Sequence, residues 1–138
     1  MTTVVFACVH NAGRSQIAAA FFNALADPAH AHAVSAGTQP AAHVHPIVVT
    51  AMLEAGFDLS AARPQRLTDE LARTASLLVT LGCGEQCPYV PGLEVDDWPV
   101  MDPKDLGLDA VRGVRDDLRA RVEALIARRG WQRTVTQI

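Results

Sequence analysis

No stretch of the chain is apolar for anything near the roughly 20 residues that span a bilayer, so no membrane-crossing helix is expected. The start does not read as a secretory leader either. Met1 to Ala7 turns apolar at once, with neither a basic opening segment nor a small-residue cleavage site. Cationic residues are in the minority, with 12 Lys and Arg against 15 Asp and Glu for a formal charge of −3. That excludes the basic footprint of a nucleic-acid-binding surface. An anionic ligand would have to be drawn in by local groups, against the net charge. Cysteines number only three, an odd count that argues against a secreted disulfide framework. In a reducing compartment such residues serve catalysis, metal binding or the core, and a cytoplasmic location is expected. Aromatic residues are scarce too, with a single tyrosine, Tyr89.

What is present suffices for one packed domain over residues 1–138, since 49% of the 138 residues are hydrophobic. Val4 to Ala7 reads as a buried strand, and Ile17 to Leu25 as a helix. Ala33 to Ala36 forms a weaker strand closed by Gly37. Pro46 opens a helix that runs on from Ile47 to Ala55 and stops at Gly56. Thr68 caps a short helix through Thr74, and Ser76 to Leu81 is the second strong strand. Gly82 to Pro91 is a punctuated loop, and a last strand lies within Glu94 to Val100 around Trp98. Leu106 to Arg128 repeats apolar residues at helical spacing, and Gly130 to Ile138 reads as a frayed tail. The alternation predicts an α/β fold: a three-layer domain with a mainly parallel central sheet of about four strands.

The sharpest local pattern is Cys8-Val9-His10-Asn11-Ala12-Gly13-Arg14-Ser15, set between the first strand and the first helix. A loop feeding a helix N-terminus points several backbone N–H groups at one spot, which suits an oxyanion. Gly13 lets the backbone curl, and the fork of Arg14 matches two oxygens of a tetrahedral anion. Thiols at a helix N-terminus beside an arginine ionise readily, which makes Cys8 a candidate nucleophile. Ser15 is placed to donate to its sulfur and Asn11 to brace the loop.

Two further features are less specific. Asp102-Pro103 follows the last predicted strand; an Asp over the anion would protonate a departing oxygen, yet Asp-Pro pairs commonly just form turns. Asp96, Asp97 and Asp105 compete for the same role. Cys83 and Cys87 lie four positions apart. In a helix the axial rise between them would be about 6 Å, inside the roughly 4.4–6.8 Å Cα range of a disulfide. In an extended segment the gap would be roughly 13 Å, too far to bridge. Inert thiols and half a metal site are the other readings, but zinc needs two more ligands. Neither His43 and His45 nor His30 and His32 stand at a recognised zinc spacing from this pair, so no metal is expected.

Taken together, the Cys8–Ser15 loop, Ser15-Gln16, Ser35-Ala36-Gly37, Asp102-Pro103 and the Cys83/Cys87 segment resemble the low-molecular-weight tyrosine phosphatase superfamily, and within it the arsenate reductase branch. The resemblance runs from about Thr3 to the end of the last helix. It implies that residues Val9 to Ser15 hold arsenate, with phosphate or sulfate as competing oxyanions, while Cys8 attacks it and Asp102 supplies a proton. It further implies that Cys83 attacks Cys8 and Cys87 attacks Cys83. The resulting disulfide would be passed to an external thiol: thioredoxin, or a mycothiol or glutaredoxin system with a mycoredoxin-type partner. No tightly bound cofactor is implied.

The sequence departs from this pattern in two places. Cys83 and Cys87 stand closer together than in some thioredoxin-coupled relatives. Some thioredoxin-coupled relatives carry a potassium-binding glutamate four residues after the loop serine, where this chain has Ala19. A low-molecular-weight tyrosine phosphatase is the alternative activity, since it would share Cys8, Arg14 and Asp102. Those phosphatases place aromatic residues after the Asp-Pro pair; here Lys104-Asp105-Leu106 follow. A non-enzymatic oxyanion sensor is the other alternative.

Overall fold

The computed structural model describes residues 2–82, 90–102 and 106–133. Four strands, β1 (Thr2–Cys8), β2 (Ala31–Gly37), β3 (Leu77–Thr80) and β4 (Glu94–Asp97), alternate with four helices, α1 (Arg14–Leu25), α2 (Pro46–Glu54), α3 (Asp69–Thr74) and α4 (Leu108–Arg129). The strands form one sheet in the order β2-β1-β3-β4. Every pairing is parallel, with Val5 of β1 in register with Val34 of β2 and Leu78 of β3.

Because β1 has a neighbour on both edges and helices over both faces, its residues Val4 to Cys8 are all buried. Side chains alternate along it. Val4, Phe6 and Cys8 join a core with α1, α2 and α4, while Val5 and Ala7 face Ala72 of α3, Leu67 and Leu78. These are the three expected layers. The larger core closes around Phe6, whose ring meets Phe22 edge-on at 5.9 Å and Trp98 at 5.7 Å. On α4 the buried stripe is Val111, Val114, Leu118, Val122, Leu125 and Ile126, steps of three and four residues that keep one face inward. Each such side chain contributes roughly 1.5–3 kcal/mol by leaving water.

Two expectations are corrected. The last strand ends at Asp97, short of Trp98 and Val100. Trp98 instead turns its ring into the core, its N–H donates to Thr80 O at 2.9 Å, and Pro99 after it has no N–H to continue a ladder. The tail reading fails for residues 130–133. Gly130 caps α4 in the left-handed conformation, and Trp131 packs edge-on against Phe22 at 5.9 Å. Gln132 bridges Ala26, and Arg133 donates to the carbonyls of Ala24 and Asn23. A chain that reverses at the glycine meets the end of α1 and is pinned there.

Candidate active site

The parallel sheet sends the chain out of β1, β2, β3 and β4 on the same side, so the segments after all four strands meet at the carboxyl edge. Cys8 is the last residue of β1, and α1 begins at Arg14. Between them the loop is held by its carbonyls. Cys8 O accepts from Thr38 N, Val9 O from Gln39 N, His10 O from Ala41 N, Ala12 O from His45 N and Gly13 O from Ile17 N. Asn11 O accepts from Gln16 Nε2. With these carbonyls engaged by groups outside the loop, the N–H of Asn11 is turned to the Cys8 sulfur, and a strand-to-helix loop of this kind suits an anion.

The Cys8 sulfur sits within that curve. Asn11 N donates to it at 3.2 Å, and Ser15 Oγ lies 2.9 Å away. Ser15 Oγ accepts from Asn11 Nδ2 at 2.7 Å, which leaves its own proton for the sulfur. Asn11 is fully buried, with φ at +51°. Asn tolerates this left-handed region better than most residues. Asn11 is therefore the left-handed residue of the loop, two positions before Gly13 at φ −142° and ψ −94°.

Outside the loop, Gly37 at the end of β2 makes room for it. A Cβ there would stand 2.6 Å from Val9 O and 2.9 Å from Asn11 N. A strap of residues 63–67 crosses behind: Gln65 N donates to Asn11 Oδ1, Gly37 N to Gln65 O, and Leu67 N to Gly37 O.

Arg14 is 7% exposed. Its Nη1 donates to Val100 O at 3.2 Å and its Nη2 lies 3.4 Å from Asp102 Oδ2. Gly82, after β3, walls its other side; at φ +87° it adopts a conformation that suits glycine, and a Cβ would fall 2.4 Å from Arg14 Nη1.

The structure thus brings Cys8, Asn11, Arg14, Ser15 and Asp102 to one place, along the loop that also carries Val9, His10, Ala12 and Gly13. The competing acids are engaged elsewhere: Asp97 accepts from Thr80 Oγ1 at 2.6 Å and Asp96 from Trp98 Nε1 at 3.0 Å. Asp105, Cys83 and Cys87 lie outside the described residues. His32 lies near the start of β2 and His30 immediately precedes that strand, at the far end of the sheet from Cys8. The potassium-binding glutamate of some relatives has no counterpart here. Ala19 is buried at 8% exposure, and Asn11 Oδ1 accepts from Gln16 and Gln65. Sequence reading missed the roles of Gln16, Gln65, Gly82 and Val100. Val100 acts through its carbonyl, and Gln65 reaches Asn11 through its backbone N–H while its side chain donates to Ser35 O at 2.8 Å.

A family model described as low molecular weight phosphotyrosine protein phosphatase matches residues 3–135. The glutaredoxin arsenate reductase of Synechocystis sp. is 33% identical over 131 residues, covering 93% of this chain and 98% of its own. The solved thioredoxin-dependent arsenate reductase of Corynebacterium glutamicum superposes with a TM-score of 0.80 at 34% identity; the match covers 93% of this chain but 61% of that one. An arsenate reductase solved in its oxidized state superposes with a TM-score of 0.82 at 30% identity, over 93% of this chain and 98% of the other.

Proposed function

The chain belongs to the low molecular weight phosphotyrosine protein phosphatase family, and from that premise we propose that it reduces arsenate to arsenite, with Cys8 as nucleophile and an external thiol as the source of electrons. The observation that carries the proposal is the setting of one sulfur: two donors on Cys8 Sγ, at 2.9 and 3.2 Å, in a loop that also presents the Arg14 guanidinium. Donors of this kind fix the sulfur in place within the curve of the loop. The names of the similar proteins speak for arsenate as the oxyanion reduced.

In this reading the loop N–H groups and Arg14 hold three arsenate oxygens and turn the arsenic toward the sulfur. The Cys8 thiolate forms an S–As bond while one oxygen leaves as water, protonated by Asp102. A second thiolate, from Cys83, attacks Cys8 sulfur. The S–As electron pair goes to arsenic, which departs as arsenite, two electrons richer, and a Cys8–Cys83 disulfide remains. Cys87 attacks Cys83, regenerates the Cys8 thiolate and carries the disulfide to a partner. Phosphate and sulfate bind the same loop as competitors. A reducing compartment, the cytoplasm, fits a cycle that begins from three free thiols.

The relatives differ in reductant: one is named for glutaredoxin and one for thioredoxin. The Cys83 and Cys87 pair favours thioredoxin, because an internal relay delivers a disulfide that a protein dithiol can reach. The test is arsenate-dependent NADPH consumption with thioredoxin and its reductase, run beside glutathione–glutaredoxin and mycothiol–mycoredoxin systems. Turnover with thioredoxin supports the full relay. Turnover only with a small thiol keeps Cys8 as nucleophile and retires the pair. No turnover in any system, with hydrolysis of an aryl phosphate, replaces the proposal with phosphatase activity.

A further inference from the structure

Gln16, in the first turn of α1, is 7% exposed, and its side chain is folded back beneath the loop. Its Nε2 lies 3.1 Å from Asn11 O, 3.2 Å from Asn11 Oδ1 and 3.3 Å from Arg63 O. Three oxygens around one nitrogen fix the amide's orientation, because the opposite flip would set its oxygen against three acceptors. A donor is therefore what this position requires. The group so held is Asn11, in the left-handed conformation at φ +51°. Asn11 is also the source of both interactions on the sulfur: its N–H donates to Cys8 Sγ directly, and its Nδ2 orients Ser15 Oγ, which lies against the same atom.

We propose that Gln16 is a positioning residue for the reaction: by gripping both oxygens of Asn11 and tying them to the strap at Arg63, it holds the Cys8 sulfur in its reactive setting. The inference rests on Cys8 being the nucleophile. Gln16 touches neither the sulfur nor the anion-facing side of the loop. Its effect passes entirely through Asn11, and it is felt at the thiolate more than in the grip of Arg14 on the anion.

The test compares the parent protein with Gln16→Met, which keeps the side-chain length and removes the donor. Alkylation by iodoacetate is followed at neutral pH with mass mapping of the Cys8 peptide, so that reaction at Cys83 and Cys87 is not counted. Losing a hydrogen bond that supports a charged group slows Cys8 alkylation about tenfold. The kcat for arsenate falls in parallel, while KM moves by less than about threefold because Arg14 still holds the anion. Unchanged alkylation and kcat in a folded Gln16→Met protein would overturn the proposal. Gln16→Glu gives an independent arm: as a carboxylate it offers no donor to the three oxygens, and as a carboxylic acid it offers one. The ratio of its alkylation rate to the parent's rises as pH is lowered from about 7.5 to about 5.5, since facing oxygens favour the protonated form. A flat ratio over that range refutes the proposal even if Gln16→Met fails to fold. Alkylation needs no arsenate, so a protein that alkylates as expected yet never reduces arsenate sinks the proposed function and still supports the role of Gln16.

Discussion

The guanidinium of Arg14 and the carboxylate of Asp102 stand 3.4 Å apart, one at the start of α1 and the other on the segment after β4. The contact joins the loop to the proposed acid, and on the proposed function the two oxyanions, carboxylate and arsenate, would compete for one fork. Asp102→Asn separates these effects. The expected outcome is a kcat lowered about a hundredfold, as for loss of a general acid, together with tighter inhibition by phosphate. Steady-state arsenate kinetics with phosphate competition measures both, and an undiminished kcat would remove Asp102 from the reaction.

Cys8→Ser is expected to abolish turnover while the melting temperature stays near the parent's, because a hydroxyl fills the same space without comparable ionisation. Cys87→Ser should release about one arsenite per protein and then stall, with a Cys8–Cys83 disulfide found by peptide mapping. Sustained turnover of the second variant with thioredoxin would show that the relay ends elsewhere.

Gly37→Ala and Gly82→Ala should fail differently. At Gly37 the new methyl meets two backbone atoms of the loop, so overpacking of about 1–3 kcal/mol is expected in denaturant unfolding. At Gly82 it meets the end of the Arg14 side chain, which can shift. That variant carries the strain of an alanine at φ +87° and should in addition lose oxyanion affinity, seen as a raised KM and a raised phosphate inhibition constant. Equal KM values for the Gly82→Ala variant and the parent would show that Arg14 does not rely on this wall.

Glu54 on α2 is held below the usual carboxylate range, chiefly by the side-chain hydrogen bond from Arg112 on α4. A depressed folded-state value means that the tie stabilises the fold above the unfolded value of roughly 4.3 and is lost as pH falls through the folded value. Thermal melts below about pH 5 should therefore decline more gently for Glu54→Gln than for the parent. Because the pair is exposed, the difference should be small and should shrink with added salt. Parallel curves would show that the tie contributes nothing.

The sequence made some of this site legible and concealed the rest. Cys8, Arg14 and Ser15 stand out because strand, loop and helix follow one another within a single short segment. Asp102 looked like an ordinary turn residue until the family resemblance gave it a role, and only the folded chain sets it against Arg14. The curl of the loop was read from Gly13, whereas the left-handed conformation of Asn11, engaged by hydrogen bonds from Gln65 and Gln16, left no mark in the sequence. The strap at residues 63–67 contributes main-chain groups, which any sequence could supply. Trp98 read as a strand residue because aromatic residues favour strands, yet burial against Phe6 ended the strand before it. The tail residue Trp131 was hidden in the same way, by a packing partner far away in sequence.

Arg14 is almost wholly enclosed, while the chain around it carries a net charge of −3. An oxyanion approaching from bulk water thus meets a repulsive far field before it reaches an attractive contact. Mobile ions at 0.15 M damp the far field over about 8 Å and leave an enclosed contact much less affected. Ionic strength from salts that do not themselves bind the loop therefore speeds capture of the substrate here, where it would slow capture by a protein built around an open basic cleft.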